Sequence, residues 1–326
     1  MNCHILDSIK CFFTVLLVSI VFCMVSAAAE TVQGDLEARF ANEPRIECDG
    51  SVYRLRRRLT SILFAGTDSG EGSQGYALGA RNGGQADFIM LIAIDEAEKR
   101  ITPIQINRDT MTEITILNVM GDVSGSRVAQ ICLAHSFGDG EERSCELLIS
   151  AVSRFLKGTP VDHYFVMKLD ALGALNDAIG GVEVTLEDDF TAYDPEMVVG
   201  KTLTLLGDQA EIYLRQRYYV GDQSNVSRQK RQREYIRSAV EKVMRKIESQ
   251  SSFVDVLMDA IGESAVTDLS RGRMLNVANL ARQYEITPIR SIDGETKLGD
   301  DGFIQFHADE DALMQLLMDV FYQKVE

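Results

Sequence analysis

Histidine is scarce in this chain, and its few copies are scattered. The 326 residues include four histidines, none of which are paired at helical spacing: His4, His135, His163 and His307. A zinc site needs several nitrogen or sulfur ligands that converge on one point. The sequence therefore argues against a zinc centre.

Cysteine spacing of the metal-binding kind is also missing. Of the six cysteines, three lie in or before an apolar segment near the N-terminus, and three lie beyond it: Cys48, Cys132 and Cys145. An odd number without metal-type spacing favours buried free thiols. A bridge between Cys132 and Cys145 stays open if the domain is exported.

Net positive charge is the third absence. The chain has 33 Lys and Arg against 49 Asp and Glu, which gives a formal net charge of −16. Nucleic-acid-binding proteins need a cationic surface to displace counterions, so nucleic acid is not an expected partner. A local anion site remains compatible with this balance. Hydrophobic residues at 45% and charged residues at 25% are ordinary for a folded globular protein.

An uncharged run, CFFTVLLVSIVFCMVSAAA, occupies residues 11–29. Its length suits a membrane-crossing helix, although Ala27-Ala28-Ala29 also fits a signal-peptidase site. We favour an uncleaved anchor over a cleaved signal. The prediction is then a short cytoplasmic tail over 1–10, a single membrane pass, a linker over 30–60 and an extracellular remainder.

Strand-like and helix-like segments alternate over residues 61–250. The nearly apolar run 87–94 predicts a strand covered on both faces, and the alternating run 100–106 predicts its hairpin neighbour. A helical pattern follows over 142–156. This interleaving indicates a layered α/β domain. Residues 251–326 are predicted as a helical and mixed extension that serves as scaffold or interaction surface.

A cationic stretch over residues 203–237 stands out in this acidic chain. Its basic side chains outnumber its four acidic ones: Arg215, Arg217, Arg228, Lys230, Arg231, Arg233 and Arg237. Arginine is a planar donor that matches phosphate oxygens two at a time. The stretch is therefore interpreted either as the holder of a phosphate-rich ligand or as a solvated basic helix face.

The spacing within this stretch constrains the first interpretation. Arg215 and Arg217 would point about 200° apart on a continuous helix. If both serve one anion, the helix must end between or just after them. Arg228, Gln232 and Tyr235 can share one face near the start of the next helix, where the helix N-terminus favours anions.

Several linked motifs resemble the LytR-CpsA-Psr family. They include GTDS with Asp68, QADFIMLIAID with Asp87, INRDT at 106–110, DHY at 162–164, LNDAIGGVEV at 175–184, and LLGDQAEIYLRQR followed by Gly221-Asp222 and Arg228-Gln229-Lys230-Arg231-Gln232. The match covers about residues 61–246 with the family's order and spacing. A set of linked motifs is far more specific than a single pattern.

This resemblance implies a fold and a function. Family members have one membrane anchor and an external three-layer α/β/α domain with a central mixed sheet. They move a glycopolymer from a polyprenyl-pyrophosphate carrier to peptidoglycan and form a phosphodiester. The polymer would be anionic, such as teichoic acid or capsular polysaccharide, in a Gram-positive-type envelope. An apolar pocket in the core would take the polyprenyl tail.

The resemblance also implies the site residues. The pyrophosphate would be bound by Arg108, Arg215, Arg217, Arg228 and Gln232, and Mg²⁺ would be held by Asp68 and Asp87. Catalysis would use Arg108 with Asp87 or Asp109, either of which could be the base toward the acceptor hydroxyl. Asp109 is equally interpreted as a structural partner of an arginine. Arg231 is assigned neither to the ligand nor to the solvated face, where Lys230, Arg233 and Arg237 are placed.

The chain departs from the family pattern at Gly70, Gln85-Ala86, Asn107 and Gln130-Ile131-Cys132. These departures bear on the polymer more than on the reaction class. Two other functions stay open: a non-catalytic, regulatory binder of polyprenyl-phosphate lipids, and a pyrophosphatase that uses water as the acceptor.

Overall fold

A mixed β-sheet organises the structure. The computed structural model describes residues 45–48, 50–68, 83–118, 120–216, 218–223, 225–250, 253–300 and 302–325. Within these residues the seven-stranded sheet has the order β11-β8-β3-β4-β5-β12, and β13 also pairs with β5. Its strands are β3 (Leu59–Thr67), β4 (Ala86–Asp95), β5 (Arg100–Ile106), β8 (His163–Lys168), β11 (Ala265–Thr267), β12 (Glu285–Ile286) and β13 (Arg290–Ser291). The β3–β4–β5 meander is antiparallel, whereas β8 runs parallel to β3, and β12 and β13 run parallel to β5.

Smaller sheets of two or three strands lie outside the central sheet. Their strands are β1 (Arg45–Cys48), β2 (Ser51–Leu55), β6 (Met111–Leu117), β7 (Val123–Gln130), β9 (Val182–Thr185), β10 (Thr202–Leu205), β14 (Gly294–Leu298), β15 (Ile304–Ala308) and β16 (Tyr322–Lys324). The pairs β6–β7, β9–β10 and β14–β15 are antiparallel hairpins or ribbons.

Helices cover both faces of the central sheet. They are α1 (Leu133–Ser136), α2 (Glu142–Phe155), α3 (Leu172–Ala178), α4 (Asp208–Arg215), α5 (Asn225–Ser249), α6 (Phe253–Ile261), α7 (Arg271–Gln283) and α8 (Glu310–Val320). The first face packs on α3 to α7, and the second packs on α1, α2 and α8.

Alternation along the strands explains the two cores. On β3, Ile62 and Phe64 enter the first core, while Leu63 and Ala65 enter the second. Successive side chains of a strand point to opposite faces, so a nearly continuous apolar run is needed where both faces are covered. The predicted α/β fold with a central mixed sheet is confirmed.

The segments at both ends of the described chain contribute strands, including the 30–60 segment, for which an edge strand was one expectation. The second half of the 30–60 segment, predicted as a linker, forms β1, β2 and the start of β3. The 251–326 segment is not an appendage, because it supplies β11 to β13 to the central sheet and α8 to the second core. Its strand β16 pairs with β2, so that Tyr322 lies opposite Leu55. Tyr322 and Leu55 are both buried, and each is paired with a strand that is remote in sequence.

The predicted anchor at 11–29 lies outside the described residues. None of the helices within the described ranges combines the length and the apolar character that a membrane crossing requires. Cys132 and Cys145 are buried free thiols, so the alternative of a disulfide between them is wrong.

Candidate active site

The ends of β4 and β5 bring a carboxylate and a guanidinium together. Ile89 pairs with Ile106 in this hairpin, which places Asp87 across from Arg108 just beyond it. Arg108 Nη1 donates a hydrogen bond to Asp87 Oδ1, and the two side chains are only 20% and 24% exposed. The predicted proximity of these two residues is confirmed.

A β-bulge sets the direction of the Asp87 side chain. Along the β3–β4 ladder, Gly66 pairs with Phe88 and Thr67 pairs with Ala86, so Asp87 is the extra residue between them. A bulge bends its strand and re-aims the side chain that it carries. Asp87 thereby leaves the regular alternation at the start of β4 and meets Arg108.

The rest of the Arg108 guanidinium is also held. Nη2 donates to Gln85 Oε1 at 2.7 Å and lies 3.4 Å from Cys132 Sγ, and Nε lies 3.5 Å from Asp109 Oδ1. Burial raises the pKa of the Cys132 thiol to about 11, so the thiol contacts Arg108 in its neutral form. Gln85 and Cys132 were not predicted as site residues. The available signal was that both stand where the chain departs from the family pattern.

A cavity of about 440 Å³ opens beside this pair, between the sheet and helices α3 to α5. Its wall is largely apolar and includes Phe64, Phe88, Phe165, Met167, Leu172, Leu175, Leu214 and Ile236. Its border also carries polar and charged residues, namely Asp87, Glu211, Arg215, Gln216, Arg228 and Gln232. A small adjoining space is bordered by three of these, Asp87, Arg228 and Gln232, together with Arg108. We call the larger space the apolar cavity.

Arg215 reaches this border because α4 ends there. The backbone leaves the helix at Gln216, which is extended with φ −72° and ψ 135°. Arg215 Nη1 lies 2.5 Å from Glu211 Oε1 and 3.5 Å from Asp170 Oδ1. The helix therefore ends between the two predicted arginines, as a shared ligand would require. Arg217 itself lies outside the described residues.

The first turns of α5 place Arg228 and Gln232 on one face. Gln232 Nε2 donates to the Leu214 carbonyl at 3.1 Å, which ties α5 to the last turn of α4. Farther along the same face, the buried Tyr235 hydroxyl donates to Asn176 Oδ1 at 2.7 Å. These hydrogen bonds hold α3, α4 and α5 together along the helical side of the apolar cavity.

Arg231 has a structural role that the sequence left undecided. Its side chain is 4% exposed, and it donates to the carbonyls of Tyr213 at 3.2 Å and Gln216 at 2.5 Å. It also pairs with Asp188 at 3.1 Å and lies over the Phe190 ring, 5.2 Å from the centroid. These contacts fix the C-terminal end of α4, which carries Arg215.

Asp68 follows β3 and lies next to the segment that enters β4. Its Oδ1 accepts a hydrogen bond from the Gln85 backbone N–H at 2.7 Å. This close approach depends on Gly84, because a Cβ there would lie 1.9 Å from the Asp68 carbonyl oxygen. Asp68 is thus anchored beside Gln85, two residues from Asp87.

Asp109 is oriented toward the scaffold. Its Oδ1 accepts from Gln130 Nε2 at 3.3 Å as well as facing Arg108 Nε, and its carbonyl accepts from the Phe306 N–H at 2.8 Å. Asp109 is not among the described residues that border the apolar cavity or its adjoining space. This geometry agrees with the interpretation of Asp109 as a structural partner of Arg108.

The donor set near Asp87 suits a hydrated Mg²⁺ better than a protein-enclosed metal. Across the described ranges, no group of three or more His, Cys, Asp or Glu converges on one point. Mg²⁺ usually keeps several waters and uses one or two carboxylates. Asp68 and Asp87 are two such carboxylates at neighbouring strand ends, so the residues present fit this ion.

Two other motifs of the sequence have structural roles. Asp162 Oδ2 accepts from the Ser61 N–H at 2.8 Å and from its hydroxyl at 3.1 Å, which joins the start of β8 to β3. In the LNDAIGG segment, Asn176 Nδ2 donates to the Leu205 carbonyl at 2.9 Å. Asp162 lies outside the cavity border, whereas Leu175 of the second motif is part of the cavity wall.

Comparison with known proteins gives consistent results. The LytR_cpsA_psr family model matches residues 22–319. A Halalkalibacterium halodurans protein named polyisoprenyl-teichoic acid–peptidoglycan teichoic acid transferase TagU is 28% identical over 71% of this chain and 72% of its own length. An Enterococcus faecalis protein of the same name is 28% identical over 67% of this chain, and the match spans 64% of that relative. The crystal structure of protein gbs0355 from Streptococcus agalactiae superposes with a TM-score of 0.63 at 23% identity, covering 81% of this chain and 86% of that one.

Proposed function

The chain belongs to the LytR_cpsA_psr family, some of whose members are named transferases, and on this premise we propose that it is a phosphotransferase. It moves an anionic glycopolymer from a polyprenyl-pyrophosphate carrier to peptidoglycan and forms a phosphodiester bond. The observation that carries this proposal is the apolar cavity with guanidinium groups at its border. That combination matches a ligand with a long hydrocarbon tail and a pyrophosphate head.

The apolar cavity takes the polyprenyl tail in this proposal. Its volume of about 440 Å³ lies within the range of roughly 300–1,000 Å³ that is common for ligand pockets. Burial of a hydrocarbon chain against its phenylalanine and leucine wall is favourable by about 25 cal/mol per Å² of apolar surface. The tail thereby fixes where the head group lies.

The pyrophosphate lies at the cavity border and is bound by Arg215, Arg228, Gln232 and the adjoining Arg108. Phosphoryl transfer depends mainly on positioning and on neutralisation of charge. Arginines suit this role because they remain charged and offer paired donors to phosphate oxygens. We extend the same role to Arg217 on its sequence position alone.

The transfer step has a simple balance of atoms. The acceptor hydroxyl oxygen forms a bond to the phosphorus that carries the polymer, the P–O bond of the pyrophosphate bridge breaks, and polyprenyl phosphate leaves. The hydroxyl proton passes to a carboxylate. We assign that proton to Asp87, because it borders the apolar cavity, whereas Asp109 faces Gln130 and Arg108.

Asp68 and Asp87 would hold Mg²⁺. When bound, the ion would supply additional neutralisation of the pyrophosphate charge. We also propose that residues 11–29 anchor the chain in the cell membrane with the remainder outside the cell, which rests on the sequence alone.

A reconstituted reaction tests the proposal. The full chain in detergent is incubated with a polyprenyl-pyrophosphate-linked anionic saccharide and with peptidoglycan that lacks attached polymer. We expect saccharide covalently joined to the peptidoglycan through phosphate. Arg108→Ala and Arg215→Ala should abolish the joining, whereas Lys230→Ala should not, since Lys230 is exposed and paired with Glu187.

Three results would contradict the proposal, each in a different way. Release of polyprenyl phosphate and soluble saccharide phosphate, without joining to peptidoglycan, indicates a pyrophosphatase. Lipid binding with neither release nor joining indicates a non-catalytic binder. Unchanged joining by both Arg108→Ala and Arg215→Ala would show that this site does not take part in the reaction.

A further inference from the structure

A second cavity lies near the Arg108 segment and is bordered by residues on both sides of it in sequence, such as Asn107 and Thr110. It has a volume of about 370 Å³ and opens at the sheet edge, where β13 pairs with β5. Ser291 of β13 lies directly opposite Gln105 of β5 and both residues border the space. We call it the edge cavity.

The border of the edge cavity is polar but carries little charge. Its polar residues are Gln105, Asn107, Thr110, Arg233 and Ser291. Two amides, two hydroxyls and one guanidinium form this set, and no carboxylate is among the described border residues. Phe155 and Phe306 add aromatic surface. Neutral hydrogen-bonding groups beside aromatic rings suit a ligand rich in hydroxyl and amide groups, as saccharides are.

One hydroxyl at this border lacks a partner. Thr110 is 1% exposed, and its Oγ1 has no hydrogen-bond partner among the described residues. A buried polar atom without a partner costs free energy that a bound group can recover. The backbone around it is firmly held, because the Thr110 carbonyl accepts from the Ile131 N–H at 2.8 Å.

The edge cavity adjoins the proposed transfer centre through consecutive residues. Gln105 borders both the edge cavity and the small space that contains Arg108. Asn107 directly precedes Arg108, and Arg233 directly follows Gln232. The small space at Arg108 therefore shares border residues with both cavities: Arg228 and Gln232 with the apolar cavity, and Gln105 with the edge cavity. In an in-line displacement, the attacking hydroxyl oxygen and the leaving oxygen of polyprenyl phosphate lie on opposite sides of the phosphorus. The acceptor therefore needs a binding space other than the apolar cavity, which holds the polyprenyl tail.

We propose that the edge cavity binds the acceptor: an N-acetylated amino-sugar segment of the peptidoglycan glycan, whose hydroxyl is thereby presented to the Arg108 centre. This inference rests on the proposed function for the identity of the acceptor. It gives a functional role to the 251–326 segment, which supplies Ser291 and Phe306 to the border.

Two variants and a matched control test the assignment. Ser291 is exposed on a short edge strand, so Ser291→Tyr fills the cavity mouth without disturbing a core. Arg233→Gln removes the guanidinium. Arg237→Gln is the control, because Arg237 lies one helical turn farther along α5 and is not among the described residues that border either cavity.

The first measurement is saccharide binding without any donor lipid. Saturation-transfer NMR on the full chain in detergent uses a soluble, peptide-free peptidoglycan tetrasaccharide as the probe. We expect saturation transfer to the sugar with the native chain and with Arg237→Gln, and its loss with Ser291→Tyr. Equal signals from the native chain and Ser291→Tyr, or none from the native chain, would overturn the assignment.

The second measurement separates acceptor from donor in the joining reaction. In Arg233→Gln, the KM for the glycan acceptor should rise about tenfold, which corresponds to roughly 1.4 kcal/mol, while the KM for the donor stays unchanged. An equal rise in both constants would refute a specific acceptor role. If the native chain binds the tetrasaccharide but joins nothing to it, the proposed function fails and the binding site stands. If joining proceeds with an unchanged acceptor KM in both Ser291→Tyr and Arg233→Gln, the proposed function stands and the acceptor site in the edge cavity is refuted.

Discussion

Replacement of Arg231 by methionine should destabilise the fold strongly, although this residue stands in a run of basic residues whose other members are not buried. Methionine keeps the length of the side chain and removes the guanidinium. The change leaves the Tyr213 and Gln216 carbonyls without their donor and leaves the Asp188 carboxylate, which is 22% exposed, without its partner.

The expected cost follows from these three contacts. An unsatisfied buried polar group costs about 1–3 kcal/mol, and removal of one member of a buried ion pair costs about 3–5 kcal/mol. The terms overlap because they share one guanidinium, so we expect a loss of about 3–5 kcal/mol in the free energy of unfolding. Asp188→Asn should cost less in the Arg231→Met background than in the native chain, since the charge has then already lost its partner.

Urea unfolding followed by circular dichroism measures this loss. The chain contains no tryptophan, so a backbone signal is preferable to intrinsic indole fluorescence. Arg237→Met is the matched control on the same helix, with an expected change within about 0.5 kcal/mol. A loss below about 1 kcal/mol for Arg231→Met, or an equal loss for the control, would refute the assignment of Arg231 to the structural link between α4 and α5.

Three further outcomes follow from the site. Arg108→Lys should lower the rate of joining about a hundredfold in a chain that still folds, because an ammonium group cannot reproduce the planar contacts of Arg108 to Asp87 and Gln85; transfer kinetics measure the rate, and a melting curve shows that the variant is folded. The Cys132 thiol should resist alkylation at pH 8 until the chain unfolds, as peptide mass spectrometry would detect. Because burial raises its pKa from 9.0 to about 11, the unfolded chain ionises first, and stability should fall as the pH rises above 9.0. Gly221→Ala should destabilise the α4–α5 connection by about 1–3 kcal/mol, since φ is +52° and the new Cβ would lie 2.5 Å from Asp188 Oδ1; urea unfolding measures it.

Each of these outcomes can fail independently. Native-like kinetics in Arg108→Lys would show that the planar fork is not needed. Rapid alkylation of Cys132 in the folded chain would show that the thiol is accessible. Unchanged stability in Gly221→Ala would mean that the Asp188 carboxylate can move aside at little cost, contrary to its hydrogen bond with Arg231.

The local patterns predicted the centre of the structure well. The apolar run that became β4 and the alternating run that became β5 each carry their own periodicity, and a short turn joins them. Once the hairpin is predicted, the proximity of Asp87 and Arg108 follows from its geometry. The sequence also predicted that, if Arg215 and Arg217 bind one anion, the helix ends between or just after them, and α4 does end at Arg215.

The remaining features depend on contacts that local patterns do not encode. The pairing of β2 with β16 joins segments from opposite ends of the described chain, so neither segment alone reveals its partner. Arg231 could not be told from Lys230 in the sequence, although one is buried and the other exposed. The contacts of Gln85 and Cys132 with Arg108 arise only when three separate segments meet.

The three-stranded sheet of β1, β2 and β16 also constrains the order in which the protein can fold. Ribosomes deliver β2 early and β16 among the last described residues, so one edge of β2 stays open throughout most of synthesis. An open edge is a template for pairing with other chains. Final closure of this sheet is therefore a late event with high contact order, and the open edge of β2 can pair with other chains until β16 has been synthesised.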